Sequence, residues 1–269
     1  SFPTRRSSDL TPALRAAHQY FIAEGYRTER VDPEGSRYAV EWLQDGRISI
    51  HTDELGRPVK STFDGRGRVL SRTYPEDDRE EFTYDWRDNM TSLTRYPKPG
   101  SLLSPLVSTV TYGEGSTLFC ANPVICNKPI TVNGPLPIVP SGPLAGQDDI
   151  TSYSWNSSTG QLTKVEKPRV ELPGGTTARP TTDFSYTSYS VGGVSLSLLT
   201  SLTEKIDAST SVSTSLDYDS ANHFLLRSVT VDPTNLNLRT CYQYDAVGNL
   251  VGVSDPRTPT TSACPATIQ

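Results

Sequence analysis

Tyr242-Gln243-Tyr244-Asp245-Ala246-Val247-Gly248-Asn249-Leu250 is the stretch on which the fold of this 269-residue chain turns. Asp245 opens a tight turn and Gly248 closes it. An aspartate or serine at the first position of a type I turn accepts hydrogen bonds from the backbone just ahead of it. The fourth position takes the left-handed conformation of a G1-bulge hairpin, which glycine, asparagine and aspartate adopt at least cost. Asn249 and Leu250, polar then apolar, restart a returning strand.

The pattern recurs along the chain. Asp53-Glu54-Leu55-Gly56, Asp64-Gly65-Arg66-Gly67, Asp85-Trp86-Arg87-Asp88 and Asp219-Ser220-Ala221-Asn222 repeat it, and Ser157-Ser158-Thr159-Gly160 is a looser copy. The flanks alternate: Tyr38, Val40 and Trp42 do so with polar neighbours, as do Ile48 with Ile50 and Phe82 with Tyr84 and Trp86. Period two over such short runs marks half-buried strands. Turns at Asp45-Gly46, Asp53–Gly56, Asp64–Gly67, Pro75–Asp78 and Asp85–Asp88 follow one another at intervals of about ten residues, the rhythm of a meander. The expected class is all-β, built from short antiparallel hairpins.

Composition agrees. Apolar residues make up 35% of the chain, against 19 glycines and 21 prolines, which favours short elements and tight turns over long helices. The net charge of −5 leaves no basic footprint for nucleic acid. No apolar run approaches the length of a helical membrane span, so no membrane insertion is expected.

Residues 1–10, SFPTRRSSDL, resemble a translated sequencing adapter and carry no strand pattern, so they are expected to be non-native. With Met90 the sole methionine, the chain is expected to be an internal fragment of a longer protein. Residues 11–35 form a lead-in. Thr11-Pro12 suits a helix N-cap and first turn, Gly25 suits a C′ position, and Leu14, Ala17 and Phe21 can share a face. A short helix and a further repeat strand both remain open there. A first repeat block is expected over 36–113, a Cys-, Pro- and Gly-rich loop segment over 114–150, and a second block over 151–269. Within the second block, 17 of the 35 residues in 181–215 are Ser or Thr, alternating with Val and Leu as solvent-facing strands would.

Candidate chemistry is sparse. Cys120, Cys126, Cys241 and Cys264 lack zinc-knuckle spacing and have no histidine beside them. Of their three pairings, Cys120–Cys126 and Cys241–Cys264 close the shortest loops; those local disulfides, in an exported protein, and four free thiols both remain open. His18, His51 and His223 are scattered. Asp217, Asp219 and Asn222 resemble the start of a calcium loop, but Ala221 stands at a ligand position and no closing Glu follows. No phosphate-binding, dinucleotide or nucleophile-elbow motif occurs. No catalytic residue, cofactor site or metal site is expected, and the chain is not expected to be an enzyme.

An aromatic residue directly before the turn aspartate gives Phe63-Asp64, Tyr84-Asp85, Tyr218-Asp219 and Tyr244-Asp245. This dyad resembles the signature of Rhs/YD-repeat proteins, strongly over residues 32–96 and 216–256 and weakly between. Asp255-Pro256, Asp232-Pro233 and Asp32-Pro33-Glu34-Gly35 are similar to the tails of the family's units, and Cys120–Pro129 resembles a segment found between its repeats. The resemblance implies a curved, spiralling sheet, here a partial β-shell. It also implies a structural role, in which repeats of a secreted or bacterial cell-surface polypeptide enclose or present a C-terminal toxin domain. The partners implied are the remainder of the same polypeptide: further repeats, the core-associated region and the toxin. Some family members instead serve adhesion, with glycans as ligands. The family's aspartyl self-cleavage signature is not matched, since Asp255-Pro256-Arg257-Thr258 lacks its Gly and Leu.

Overall fold

The computed structural model describes residues 19–23, 27–32, 35–114, 119–136, 141–142, 144–146, 149–220, 224–256, 264–265 and 268. The expectations placed on residues 1–10, Thr11, Pro12, Leu14, Ala17, His18, Gly25, Asn222 and His223 lie outside these. Among the described residues the secondary structure is all strand and turn, with no helix. The chain divides into two compact units, Ser1–Thr109 and Val110–Gln269.

In the first unit the strands run in sequence order: β1 (Gln19–Ala23), β2 (Arg27–Val31), β3 (Arg37–Trp42), β4 (Ile48–Thr52), β5 (Pro58–Phe63), β6 (Val69–Thr73), β7 (Arg79–Tyr84), β8 (Met90–Tyr96) and β9 (Leu106–Tyr112), within which the unit boundary falls. Each pairs antiparallel with the next. The lead-in, where helix and strand were both open, is strand at Gln19–Ala23, paired with β2 from Gln19↔Val31 to Ala23↔Arg27.

The second unit continues with β10 (Pro129–Asn133), β11 (Ile150–Trp155), β12 (Leu162–Glu166), β13 (Val170–Glu171), β14 (Thr177–Ala178), β15 (Thr181–Val191), β16 (Val194–Lys205), β17 (Ser211–Asp219), β18 (Leu225–Val231), β19 (Leu238–Tyr244) and β20 (Leu250–Val253). Its ladder is again a meander, β10 to β12 and then β15 to β20. The short β13–β14 hairpin forms a separate two-stranded sheet. Among its described residues the segment 114–150, expected as loop, contains the strand β10, which carries the apolar–polar alternation of Ile130-Thr131-Val132-Asn133, and the first residue of β11.

Little of either unit is fully buried. Among the described residues the buried apolar side chains are Ala39, Val40, Cys126, Ala178 and Cys241, joined by the polar Ser228 and Thr230. Most strand residues are half-buried on both faces, which suits a composition too polar for a two-sheet core. Cross-strand pairs supply much of the cohesion instead. Thr62–Ser71, Thr203–Ser213, Arg95–Glu80 and Lys205–Asp183 bridge neighbouring strands at 2.7, 2.9, 3.0 and 2.7 Å. Each such pair contributes roughly 0.2–1 kcal/mol.

Candidate functional site

The feature that repeats is a turn with its own hydrogen-bond circuit. In the hairpin from β5 to β6, the Asp64 amide donates to Arg68 O and the Gly67 amide to Asp64 O, both at 3.0 Å. Asp64 Oδ1 accepts from the amides of Arg66 and Arg68 at 2.8 and 3.0 Å, and Oδ2 accepts from Arg68 Nε at 2.6 Å. Asp53 does the same with Leu55 and Arg57, Asp85 with Arg87 and Asn89, and Asp245 with Val247 and Asn249. One carboxylate therefore satisfies two amides and fixes the side chain that begins the returning strand. Gly56, Gly67 and Gly248 close these turns at φ of 76°, 88° and 89°. Asp88 does so at 68° despite its side chain.

Such a carboxylate prefers to stay ionised. Hydrogen bonds from the Arg57 side chain and amide hold Asp53 below the usual carboxylate range, and those from the Asn249 side chain and amide do so for Asp245. At Asp64 and Asp85 burial pushes the other way, but the donors at Arg68 and at Asn89 outweigh it.

The aromatic residue before the turn has a second task. In seven ladders the register slips immediately before an aromatic: Trp42, Phe63 and Tyr84 in the first unit, Trp155, Tyr186, Tyr218 and Tyr244 in the second. Each slip leaves one extra residue on the returning strand, a bulge that disrupts the ladder and strands carbonyls. Three of the four hydroxyl-bearing extra residues fold back onto a carbonyl: Ser49 donates to Glu41 O at 3.2 Å, Thr163 to Ser154 O at 3.1 Å and Thr200 to Ser185 O at 3.4 Å, while Thr91 shares a hydrogen bond with the Thr83 hydroxyl at 2.8 Å. At three of the bulges the carbonyl just before the extra residue is taken by the next tyrosine. Tyr84 Oη donates to Val69 O, Tyr186 Oη to Leu162 O and Tyr218 Oη to Leu199 O, each at 2.9 Å. Trp155 Nε1 donates to Pro129 O, at the start of β10, at 2.7 Å.

Cations complete the coupling. Arg47, the residue just before β4, lies 4.9 Å from the Phe63 ring centroid and donates to Asp64 O at 3.0 Å. One repeat later, Arg68 lies 4.6 Å from the Tyr84 ring and donates to Asp85 O at 3.2 Å. Trp42, Phe63 and Tyr84 stand 21 residues apart, as do Arg47 and Arg68. The unit of the first block is therefore two hairpin strands with their two turns, and each unit grips the aromatic–Asp dyad of the next. Arg66 and Arg68 both reach Asp88 Oδ1, at 2.9 and 2.8 Å, which gives the aspartate a reason to occupy a glycine position.

Two positions differ from the sequence pattern. The turn containing Gly160 (φ 70°) opens at Asn156, not Ser157: Asn156 Oδ1 accepts from Ser158 and Thr159, and the Asn156 amide donates to Gln161 O. Trp155-Asn156 is the aromatic–Asx dyad there, so the turn is one residue longer. In the copy at Tyr218-Asp219, the Phe224 amide donates to Asp219 O at 2.9 Å, and Phe224 itself has φ 58°. Its ring rests 5.1 Å from that of Tyr189.

The cysteines form two disulfides, Cys120–Cys126 and Cys241–Cys264. Sequence reasoning had Arg68 in the repeating stretch and Trp42 on a strand flank, but missed Arg47 and the reach of Arg47 and Arg68 to the next aromatic–Asp dyad. Aligning the aromatics at their 21-residue spacing, instead of the turns at ten, would have found them. Among the described residues no group of three or more His, Cys, Asp and Glu could hold a metal ion. An open groove of about 550 Å³ is lined by His51, Asp53, Arg57, Val59, Pro75, Glu76, Asp78 and Lys98; its cations Arg57 and Lys98 are paired with Asp53 and Glu76.

No family model matches the chain, and no curated protein matches it. Among solved structures it is similar to one described as TcdB2-TccC3-TEV, at 10% identity and a TM-score of 0.30, over 88% of this chain and 17% of that one. It is also similar to TcdB2-TccC3 at 12% identity and a TM-score of 0.28, again over 88% and 17%. A porin-like protein from Bacteroides uniformis is 12% identical over 88% of this chain and 86% of that one, with a TM-score of 0.32. The chain thus spans about a sixth of the first two.

Proposed function

We propose that this chain is a structural wall, a run of repeats from a larger Rhs/YD-type secreted or cell-surface polypeptide that encloses or presents a C-terminal toxin domain. The observation that carries the reading is the coupling of Arg47 to Phe63-Asp64 and of Arg68 to Tyr84-Asp85. A circuit in which each turn carboxylate is engaged by its own turn, while the arginines also reach the next dyad, suits a sheet that propagates by holding its repeats together. On this reading the chain is not an enzyme and its partners are other parts of its own polypeptide. Two disulfides favour an oxidising, exported setting.

The test uses the parent polypeptide with a protease-sensitive reporter in place of its C-terminal domain. The reporter should resist added protease, and the double variant Arg47→Ala, Arg68→Ala should lose that protection. Equal digestion of the reporter in the parent and as a free domain would reject the enclosing role.

A second reading, a glycan-binding surface, is favoured by one observation. The Trp86 side chain is 67% exposed in a groove of about 230 Å³ beside Arg66, Arg68, Tyr84 and Asp85, and a bare indole face beside cations can stack on a sugar. Retention on glycan arrays that Trp86→Ala abolishes would favour it over the wall.

A further inference from the structure

In the second unit one joint between hairpins is made by a different device. Cys120 and Cys126 close a small ring six residues apart in sequence. Inside it the Val124 amide donates to Asn122 Oδ1 at 3.0 Å and the Cys126 amide to Asn122 O at 3.1 Å. Glu114 accepts the amides of Ala121 and Asn122, both at 2.6 Å. The ring is seated against the turn of the hairpin from β11 to β12. Asn122 Nδ2 donates to Ser157 O at 2.8 Å. A Cβ on Gly160 would meet Val124 Cγ1 at 3.1 Å and Val124 O at 3.2 Å, and a Cβ on Gly113 would lie 2.5 Å from Ile125 O. Backbone thus approaches backbone on both sides of the ring. Just beyond it, Lys128 Nζ lies 5.0 Å from the Trp155 ring centroid, and Pro129 O takes the Trp155 indole N–H. Lys128 thus covers Trp155 as Arg68 covers Tyr84, while Asn122 of the ring holds the Ser157 carbonyl in the turn.

We propose that the Cys120–Cys126 ring is a redox-sensitive brace: closed, it docks on the Asn156–Gly160 turn and couples β10 to the hairpin that follows, and opened by a dithiol reductant it releases that turn. Cys126 is 1% exposed while Cys120 is half-buried, so the reductant's thiolate attacks Cys120 Sγ. The sulfur–sulfur bond breaks, Cys126 leaves as a thiolate and takes a proton, and a mixed disulfide joins Cys120 to the reductant. The reductant's second thiol then displaces Cys120 as a thiol, so two electrons pass from the dithiol to the protein. The first unit, residues 1–109, contains no cysteine and its Arg-based joints are indifferent to the reaction. Opening a ring of this size releases enough chain entropy to raise local opening by roughly tenfold or more.

The experiment is amide exchange on the full chain in a Cys241→Ser, Cys264→Ser background, oxidised and after dithiothreitol. The amides of Asn156 and Gly160 should exchange roughly tenfold or more faster after reduction, with the turn amides of Gly56 and Gly67 unchanged as internal reference. Asn122→Ala removes the docking bond without touching the disulfide. In that variant the Asn156 and Gly160 amides should already exchange fast, and reduction should add little. Equal protection of Asn156 and Gly160 in oxidised and reduced protein would overturn the proposal. Loss of protection throughout the chain on reduction would overturn it too, as a general unfolding.

Discussion

At the residue scale, two chemistries decide each turn, the carboxylate that opens it and the φ that closes it. Gly248 shows the second in isolation. A Cβ there would meet nothing nearer than Leu225 Cδ1 at 4.0 Å, yet φ is +89°. Space is not the constraint; backbone conformation is. Gly248→Val should cost more than about 1 kcal/mol, and Gly248→Asn much less, because a β-branched residue tolerates that region worst. Urea midpoints of the three proteins measure it, and an unchanged midpoint for valine would remove the hairpin reading of this copy. Tyr218 isolates the aromatic's role: Tyr218→Phe keeps the ring but leaves Leu199 O without its hydroxyl donor. A loss of about 1 kcal/mol is expected, measured by the same denaturation. The Asp and Gly of these turns were legible in sequence because their constraint is local. The Tyr hydroxyl's target was not, since a bulge on a neighbouring strand leaves no local mark.

At the scale of the hairpin, ionised turn carboxylates make stability depend on acid. Asp53 and Asp245 are held below the usual carboxylate value by the side chains of Arg57 and Asn249, and Asp64 and Asp85 by donors that outweigh burial. A depressed folded-state pKa means the stabilisation is present above the unfolded value, roughly pH 3.9, and is lost as pH falls through the folded value. Urea midpoints should be level through neutral pH and fall from about pH 4 downward. Asp245→Asn should start lower and fall less steeply. A midpoint that held steady to pH 2 would remove the carboxylates from the account. The antiparallel hairpins themselves could be read from turn spacing and period-two flanks. The 21-residue unit is marked in sequence by only two intact dyads, Phe63-Asp64 and Tyr84-Asp85, because Trp42 precedes Leu43 and not an aspartate, so the ten-residue turn rhythm masks it.

At the scale of the molecule, the issue is what a repeat sheet does with its last strand. Among the described residues β20 is laddered on one side, to β19, through Tyr242↔Val253, Gln243↔Gly252 and Tyr244↔Leu250. Its side chains are largely apolar and open, with Leu250, Val251 and Val253 all at least half exposed and Val247 in the preceding turn more so. An apolar edge strand templates pairing with another strand. Among the described residues the strands also leave little buried core to oppose such pairing. The purified chain should therefore be β-rich by circular dichroism and self-associate, its apparent mass in light-scattering-coupled size exclusion rising with concentration. Val251→Lys places a charge on that edge and should shift the distribution toward monomer without loss of the β signal. A monodisperse monomer across the concentration range would show that the edge of β20 does not template pairing, and would remove this account of self-association.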